Sequence, residues 1–169
     1  MQNNETIVNI VRFLVLVLVQ VLILNHINFL GYINPYLYPI FILVFPLTGN
    51  KSFLIFLSFI LGLTIDMFGD SGGVHAAASV FIAWIRPVVL KYSFGVSYQL
   101  NTLKISTAPF PKQIVYIISM VLFHHLVLFS MEIFNVGHIL LILKSTLFSG
   151  IFSVILMICT VLLFSKKGA

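Results

Sequence analysis

The feature that most limits what this chain can become is the gathering of its apolar residues into six runs with few charges inside them. The runs cover residues 7–30, 36–47, 53–68, 74–91, 113–130 and 139–164. A helix needs roughly 20 apolar residues to cross a hydrocarbon layer of ~30 Å, and the first and last runs reach that length. Six such helices would use about 120 residues, most of the 169 present. Only 8% of the residues are charged and 60% are hydrophobic, whereas an ordinary soluble domain is about 25% charged. Too few charges remain to cover a water-facing surface. Soluble enzymes, secreted disulfide scaffolds, disordered tails and nucleic-acid modules are set aside on this ground. The expected fold class is all-α: one polytopic integral membrane domain over 1–169, with about six transmembrane helices.

The first run is too long for the core of a signal peptide and ends in Asn25-His26-Ile27-Asn28 without a small-residue cleavage site, so it is expected as a retained helix. Gly31 and Pro35 then break the chain. The second run is short for a straight span and contains Pro39 and Pro46; the third is also short. The two are expected either as short spans in a locally thinned bilayer or as a re-entrant pair. The fourth run is interrupted by Arg86-Pro87, where proline kinks or ends a helix. Residues 92–112, with Pro109 and Pro111, are the longest polar stretch. Residues 132–138 form a turn before the last run.

The formal net charge is +5 and the sequence pI about 9.5. The cations are sparse and sit between apolar runs, so they speak for orientation in a bilayer rather than for nucleic acid. With six spans, Arg12, Lys51, Arg86, Lys91, Lys104, Lys112, Lys166 and Lys167 share one side. The other side keeps Lys144 with Asp66, Asp70 and Glu132. Cationic loops mark the cytoplasmic side, so both termini are expected there, and the asymmetry favours an even number of crossings. Trp84 and the tyrosines at 32, 36, 38, 92 and 98 suit interfacial belts.

In hydrocarbon, helices associate through small residues and a few polar contacts. Ser58, Gly62 and Asp66 recur every four residues and line one helix face. Ser145, Ser149 and Ser153 do the same beside Gly150, and Ala76, Ser79 and Ala83 form a third stripe. Packing inside the bundle is the plain expectation; a stripe facing a partner's helix is the sharper one. Gln20 sits deep and needs an interhelical partner. Cys159 lies in an apolar run and is read as packing.

All five histidines, His26, His75, His124, His125 and His138, fall on the expected outer side, with Asp66, Asp70 and Glu132 at similar depth. Ionisable groups in a membrane are functional candidates. His26, His124, His125 and Glu132 are the expected outer polar cluster. A metal site needs converging ligands at a recognisable spacing, and no His-x3-His or Cys-x2-Cys is present. A hydrolytic site needs a nucleophile, base and orienter, and no Gly-x-Ser-x-Gly, Ser-Lys pair or intramembrane Gly-Asp dyad is present. A structural role for these groups is expected, with no cofactor and no metal.

The stretch Gly62-Leu63-Thr64-Ile65-Asp66-Met67-Phe68, followed by Gly73-Val74-His75-Ala76, resembles the signature of the bacterial rod shape-determining protein MreD family. That pattern is Gly-x3-Asp, a short glycine-containing turn, then Gly-x2-Ala opening the next helix. The opening run to Pro35, Phe81-Ile82-Ala83-Trp84-Ile85-Arg86-Pro87, and His124-His125-Leu126-Val127-Leu128-Phe129 before an acidic residue also look like the family. The similarity runs over nearly the whole chain. It implies a non-catalytic, multi-pass subunit of the cell-elongation machinery in the bacterial cytoplasmic membrane. The implied partners are the bitopic protein MreC, the MreB filament, RodA with its transpeptidase partner, and membrane lipids.

The resemblance also suggests roles. Gly62 would allow close helix approach. Asp66 would accept hydrogen bonds from the amides opening the next helix near residues 74–76 and so lock the turn. Arg86-Pro87 would set the cytoplasmic exit of that helix and leave Arg86 for phosphate headgroups or a partner. The alternative reading is a small-molecule-binding or transport subunit, since the family distantly resembles the S-components of energy-coupling-factor transporters; that likeness is one of fold alone. A membrane enzyme acting on lipid-linked intermediates through His124 or His125 is a third.

Overall fold

A computed structural model of the chain describes residues 2–27, 29, 33–47, 50–95, 105, 108–134 and 136–164, with side chains described from residue 7 onward except that of residue 136. Helices dominate them: α1 (Gln2–Leu22), the short α2 (Ile40–Val44), α3 (Lys51–Gly69), α4 (Val74–Phe94), α5 (Phe110–Ile133) and α6 (Ile139–Phe164). Among the described residues, five segments are long and apolar enough to cross a membrane: Ile7–His26, which is α1 with the 3-10 turn after it, and α3, α4, α5 and α6. The chain is an all-α, polytopic membrane protein.

Hairpin contacts fix the arrangement. α3 packs on α4, α4 on α5 and α5 on α6, each antiparallel to the last, with α1 alongside α3. α1 and α3 run the same way, because Asn25 beyond the end of α1 lies next to Gly69 at the end of α3. The bundle thus has a Lys51 end and an Asp66 end. α1 and α3 begin, and α6 finishes, at the Lys51 end.

The second apolar run departs from the six-helix expectation. Within it only Ile40–Val44 is α-helical, and residues 34–37 are irregular. Prolines explain this. Pro39 is the N-cap of α2, and Phe45 before Pro46 is extended at φ −56°, ψ 141°, as the residue before proline prefers. Yet residues 33–47 still lead from one end of the bundle towards the other. The Tyr38 hydroxyl meets His124, whereas the Leu43 carbonyl meets Tyr116, about two turns nearer the start of α5. α3 then begins at Lys51. The chain therefore changes ends without a sixth helix. The third run, expected to be short, is the full 19 residues of α3.

Non-helical backbone at membrane depth is tolerated only where protein surrounds it. No residue from 33 to 47 is exposed. By contrast, only 22% of the most apolar window of α1, and the same share of α6, is buried, which leaves both helices broad faces for lipid. Tyr36 and Tyr38 are interior residues, not members of an interfacial belt, while Trp84 is exposed. Tyr32, Tyr98, Lys104, Lys166, Lys167 and most of 92–112 lie outside the described residues. Ser58, Gly62 and Asp66, Ala76, Ser79 and Ala83, and Ser145, Ser149, Gly150 and Ser153 are all buried. All three stripes are used inside the chain, and none is left for another protein's helix.

Candidate functional site

The first part of the site is the joint between α3 and α4. At Gly62 the two backbones touch: a Cβ there would lie 2.6 Å from the Ala76 nitrogen and 2.5 Å from the His75 carbonyl oxygen. One turn later, Asp66 faces the opening of α4. Its Oδ2 accepts from the Ala76 amide at 2.8 Å, and its Oδ1 accepts from the His75 amide at 3.1 Å. Those are two of the amides on which the sequence places it. A carboxylate suits the free N–H groups and positive dipole end of a helix. The turn is short because Gly72 and Gly73 take left-handed φ of 65° and 94°, a region open to glycine.

Two side chains complete the joint, His75 of the motif and Ser71, which is not expected there. Ser71 Oγ donates to Asp66 Oδ1 at 2.6 Å, and His75 Nδ1 lies 2.9 Å from the same oxygen and 3.0 Å from Ser71 Oγ. Serine, histidine and aspartate are the residue types of a hydrolytic triad, but the geometry differs. In a triad the carboxylate and the nucleophile meet opposite nitrogens of the ring. Here both meet Nδ1, and the serine hydrogen already goes to the carboxylate. The set is a clasp. Asp66→Ala leaves two helix-opening amides and two side chains without their acceptor. It is expected to lower stability by about 2 kcal/mol or more, with Asp66→Asn intermediate, in thermal unfolding of the detergent-purified protein. An unchanged midpoint in Asp66→Ala would show that the clasp does not hold the turn.

The second part is an interior cluster of Tyr36, Tyr38, His75, His124 and His125. The Tyr36 ring centroid is 5.7 Å from His75 and 5.4 Å from His125, and Tyr38 is 5.4 Å from His124. Both α5 histidines are fully buried. Their hydrogens follow from their partners. His125 Nδ1 is 2.9 Å from the Val121 carbonyl and must donate to it. His125 Nε2 then accepts from Ser153 Oγ at 3.1 Å, which itself accepts from the Tyr36 amide at 2.8 Å. His124 Nδ1 lies 3.3 Å from His125 Nδ1 and takes the acceptor role, so its Nε2 donates to the Tyr38 oxygen at 2.7 Å. The adjacent rings point to different elements, as neighbours on a helix must, but remain in contact. Neither keeps an idle nitrogen.

The expected outer cluster does not assemble as drawn. His26 is exposed in the 3-10 turn after α1, and Glu132 is exposed near the end of α5, within electrostatic reach of Tyr36 and His75. His124 and His125 instead join His75, which the sequence places with the joint. Among the described residues, no group of three or more His, Cys, Asp or Glu is positioned to hold a metal ion.

The third part serves the irregular segment. Gln20 Oε1 accepts from the Leu37 amide at 2.8 Å and the Tyr38 amide at 3.4 Å, while its Nε2 donates to the Pro35 carbonyl at 3.2 Å and to Asn25 at 2.8 Å. Ser149 accepts from the Asn34 amide at 3.3 Å. At the far end, Arg86 Nη2 donates to the carbonyls of Leu43, at 3.2 Å, and Phe45, and Tyr116 also donates to Leu43, at 3.1 Å. Polar side chains from four helices thus replace the partners that a sixth helix would find within itself.

Arg86 therefore corrects an expectation. It is not at a helix exit: it is buried, and α4 continues through Pro87 to Phe94, where Lys91 occupies the last turn and Gly95 caps the end. Proline removes one donor from the ladder, and the packing of α4 between α3 and α5 absorbs that loss. Sequence reasoning missed Ser71, Tyr38, Tyr116 and Ser153 as site residues. Only Ser153 carried a signal, through its place in the serine stripe. Compared with protein-family models, curated proteins and solved structures, the chain has no match.

Proposed function

We propose that this chain is a non-catalytic scaffold subunit of a bacterial cell-elongation machinery, as the resemblance to MreD implies. It sits in the cytoplasmic membrane with both termini inside the cell. It binds an MreC-type bitopic protein and links it to the MreB filament and to a RodA–transpeptidase wall synthase. The observation that carries this reading is the joint. Gly62, Asp66, Gly73, His75 and Ala76, the residues of the resemblance, meet at one place where Asp66 is bonded to Ser71, to His75 and to the amides of His75 and Ala76. That is how a rigid part is built, and a rigid part presents surfaces.

Charge supports the orientation. Lys51, Lys91 and Lys112 stand at one end of the bundle, and Asp70 and Glu132 at the other. Because residues 33–47 carry the chain across, the even parity that this asymmetry asks for is kept with five long helices. A small-molecule or transport role has less support, because Asp66, Ser71, His75, His124 and His125 near the Asp66 end are bonded to one another, to Tyr38 and Ser153, or to backbone. The test is co-purification. A tagged chain extracted in mild detergent from its own host is expected to bring the MreC-type protein with it in stoichiometric amount. A chain that stays alone at native abundance would count decisively against the scaffold reading.

A further inference from the structure

Among the described residues, no carboxylate neutralises the charge of Arg86. Arg86 is 5% exposed. Its Nε donates to Tyr116 and its Nη2 to two carbonyls, but among the described residues Nη1 makes no hydrogen bond. A guanidinium stays protonated in a protein, and carbonyl dipoles solvate it without cancelling its charge. Burying an uncompensated charge in a membrane protein is costly. The sequence has four carboxylate side chains, Glu5, Asp66, Asp70 and Glu132. Asp66 is engaged in the joint, Asp70 and Glu132 are at the other end, and Glu5 lies near the start of α1. Among the described residues Arg86 forms no ion pair, and the one such pair is Asp66 with His75.

A recess of about 20 Å³ opens beside it, lined by Arg86, Lys51, Pro46, Leu47, Leu54 and Pro87 among others. That space admits roughly one water-sized atom, enough for a single oxygen of a larger group outside. Lys51 is exposed and is the first residue of α3, so the positive dipole end of that helix lies at the same mouth. The remaining walls are apolar, and Trp84 and Val88 beside Pro87 are 66% and 65% exposed. The visitor that fits carries an anionic oxygen at one end and apolar chains at the other.

We propose that this recess binds the phosphate of an anionic phospholipid at the Lys51 end of the bundle. One phosphate oxygen sits on Arg86 Nη1, Lys51 completes the charge, and the acyl chains lie along the exposed face of α4. Basic pockets between transmembrane helices recognise lipid headgroups in this way. The inference stands independently of the scaffold reading.

The full chain, purified in detergent and titrated with phosphatidylglycerol under native mass spectrometry, is expected to retain one tightly held lipid. Lys51→Glu is expected to weaken that binding about tenfold, and Lys51→Gln by less. Lys51 is exposed, so these variants leave the fold intact where Arg86 variants also disturb α2. Phosphatidylcholine is expected to bind at least tenfold more weakly. Unchanged binding in Lys51→Glu, or equal retention of phosphatidylcholine, would overturn the proposal. Displacement of the lipid by inorganic phosphate alone would assign the recess to a soluble anion instead. An acidic protein segment that occupies it, seen as loss of lipid from a co-purified complex, would also overturn it.

Discussion

Gly62→Ala is expected to destabilise the protein by about 2–3 kcal/mol, and Gly62→Leu by more. Helix propensity alone gives the opposite sign, since alanine is better than glycine inside a helix by roughly 1 kcal/mol. The contact decides. The new carbon would meet backbone atoms of His75 and Ala76 at 2.5–2.6 Å, and backbone cannot rotate away as a side chain can. α4 would have to move outward, taking the amides of His75 and Ala76 off Asp66. Gly150→Ala is the internal control, because its nearest neighbour would be Val121 Cγ1 at 3.9 Å, an ordinary contact. There the propensity gain should appear as a neutral or slightly raised melting temperature. If both variants unfold alike, close backbone approach at Gly62 does not hold the hairpin.

Gln20→Leu has the next largest expected effect. The shape is nearly kept, but the amides of Leu37 and Tyr38 and the carbonyl of Pro35 lose their side-chain partner. Each buried group left unsatisfied costs about 1–3 kcal/mol, so a loss of about 3 kcal/mol or more is expected. Hydrogen exchange should separate this variant from a general weakening. Amides of residues 34 and 36–38 should exchange much faster than in the parent while those of α5 keep their protection. Uniform acceleration over the whole chain would show that Gln20 does not serve that segment in particular.

The α3–α4 joint was legible because its parts are local. Glycine and aspartate one turn apart, two glycines at the turn and alanine at the next helix start all fall within 15 residues, and each residue type has one physical reason to be there. The long helices were legible from apolar length alone. The second run was not, because apolar content reports burial and says nothing of backbone shape. Its two prolines were the available signal, and their effect depends on whether distant side chains can serve the broken backbone. Arg86 was misplaced for the same reason. A cation beside proline reads as a helix end, and the carbonyls it serves lie some 40 residues earlier. His124 and His125 were visible as candidates, but their partners Tyr38 and Ser153 come from opposite ends of the sequence.

The irregular crossing also bears on the order in which the protein is made. As the nascent chain leaves the ribosome, residues 33–47 emerge before Arg86, Tyr116, Ser149 and Ser153, on which their backbone depends. No insertion machinery could release that stretch into lipid at the moment of its synthesis. It must wait in a wet or chaperoned setting until the carboxyl-terminal hairpin arrives and closes around it.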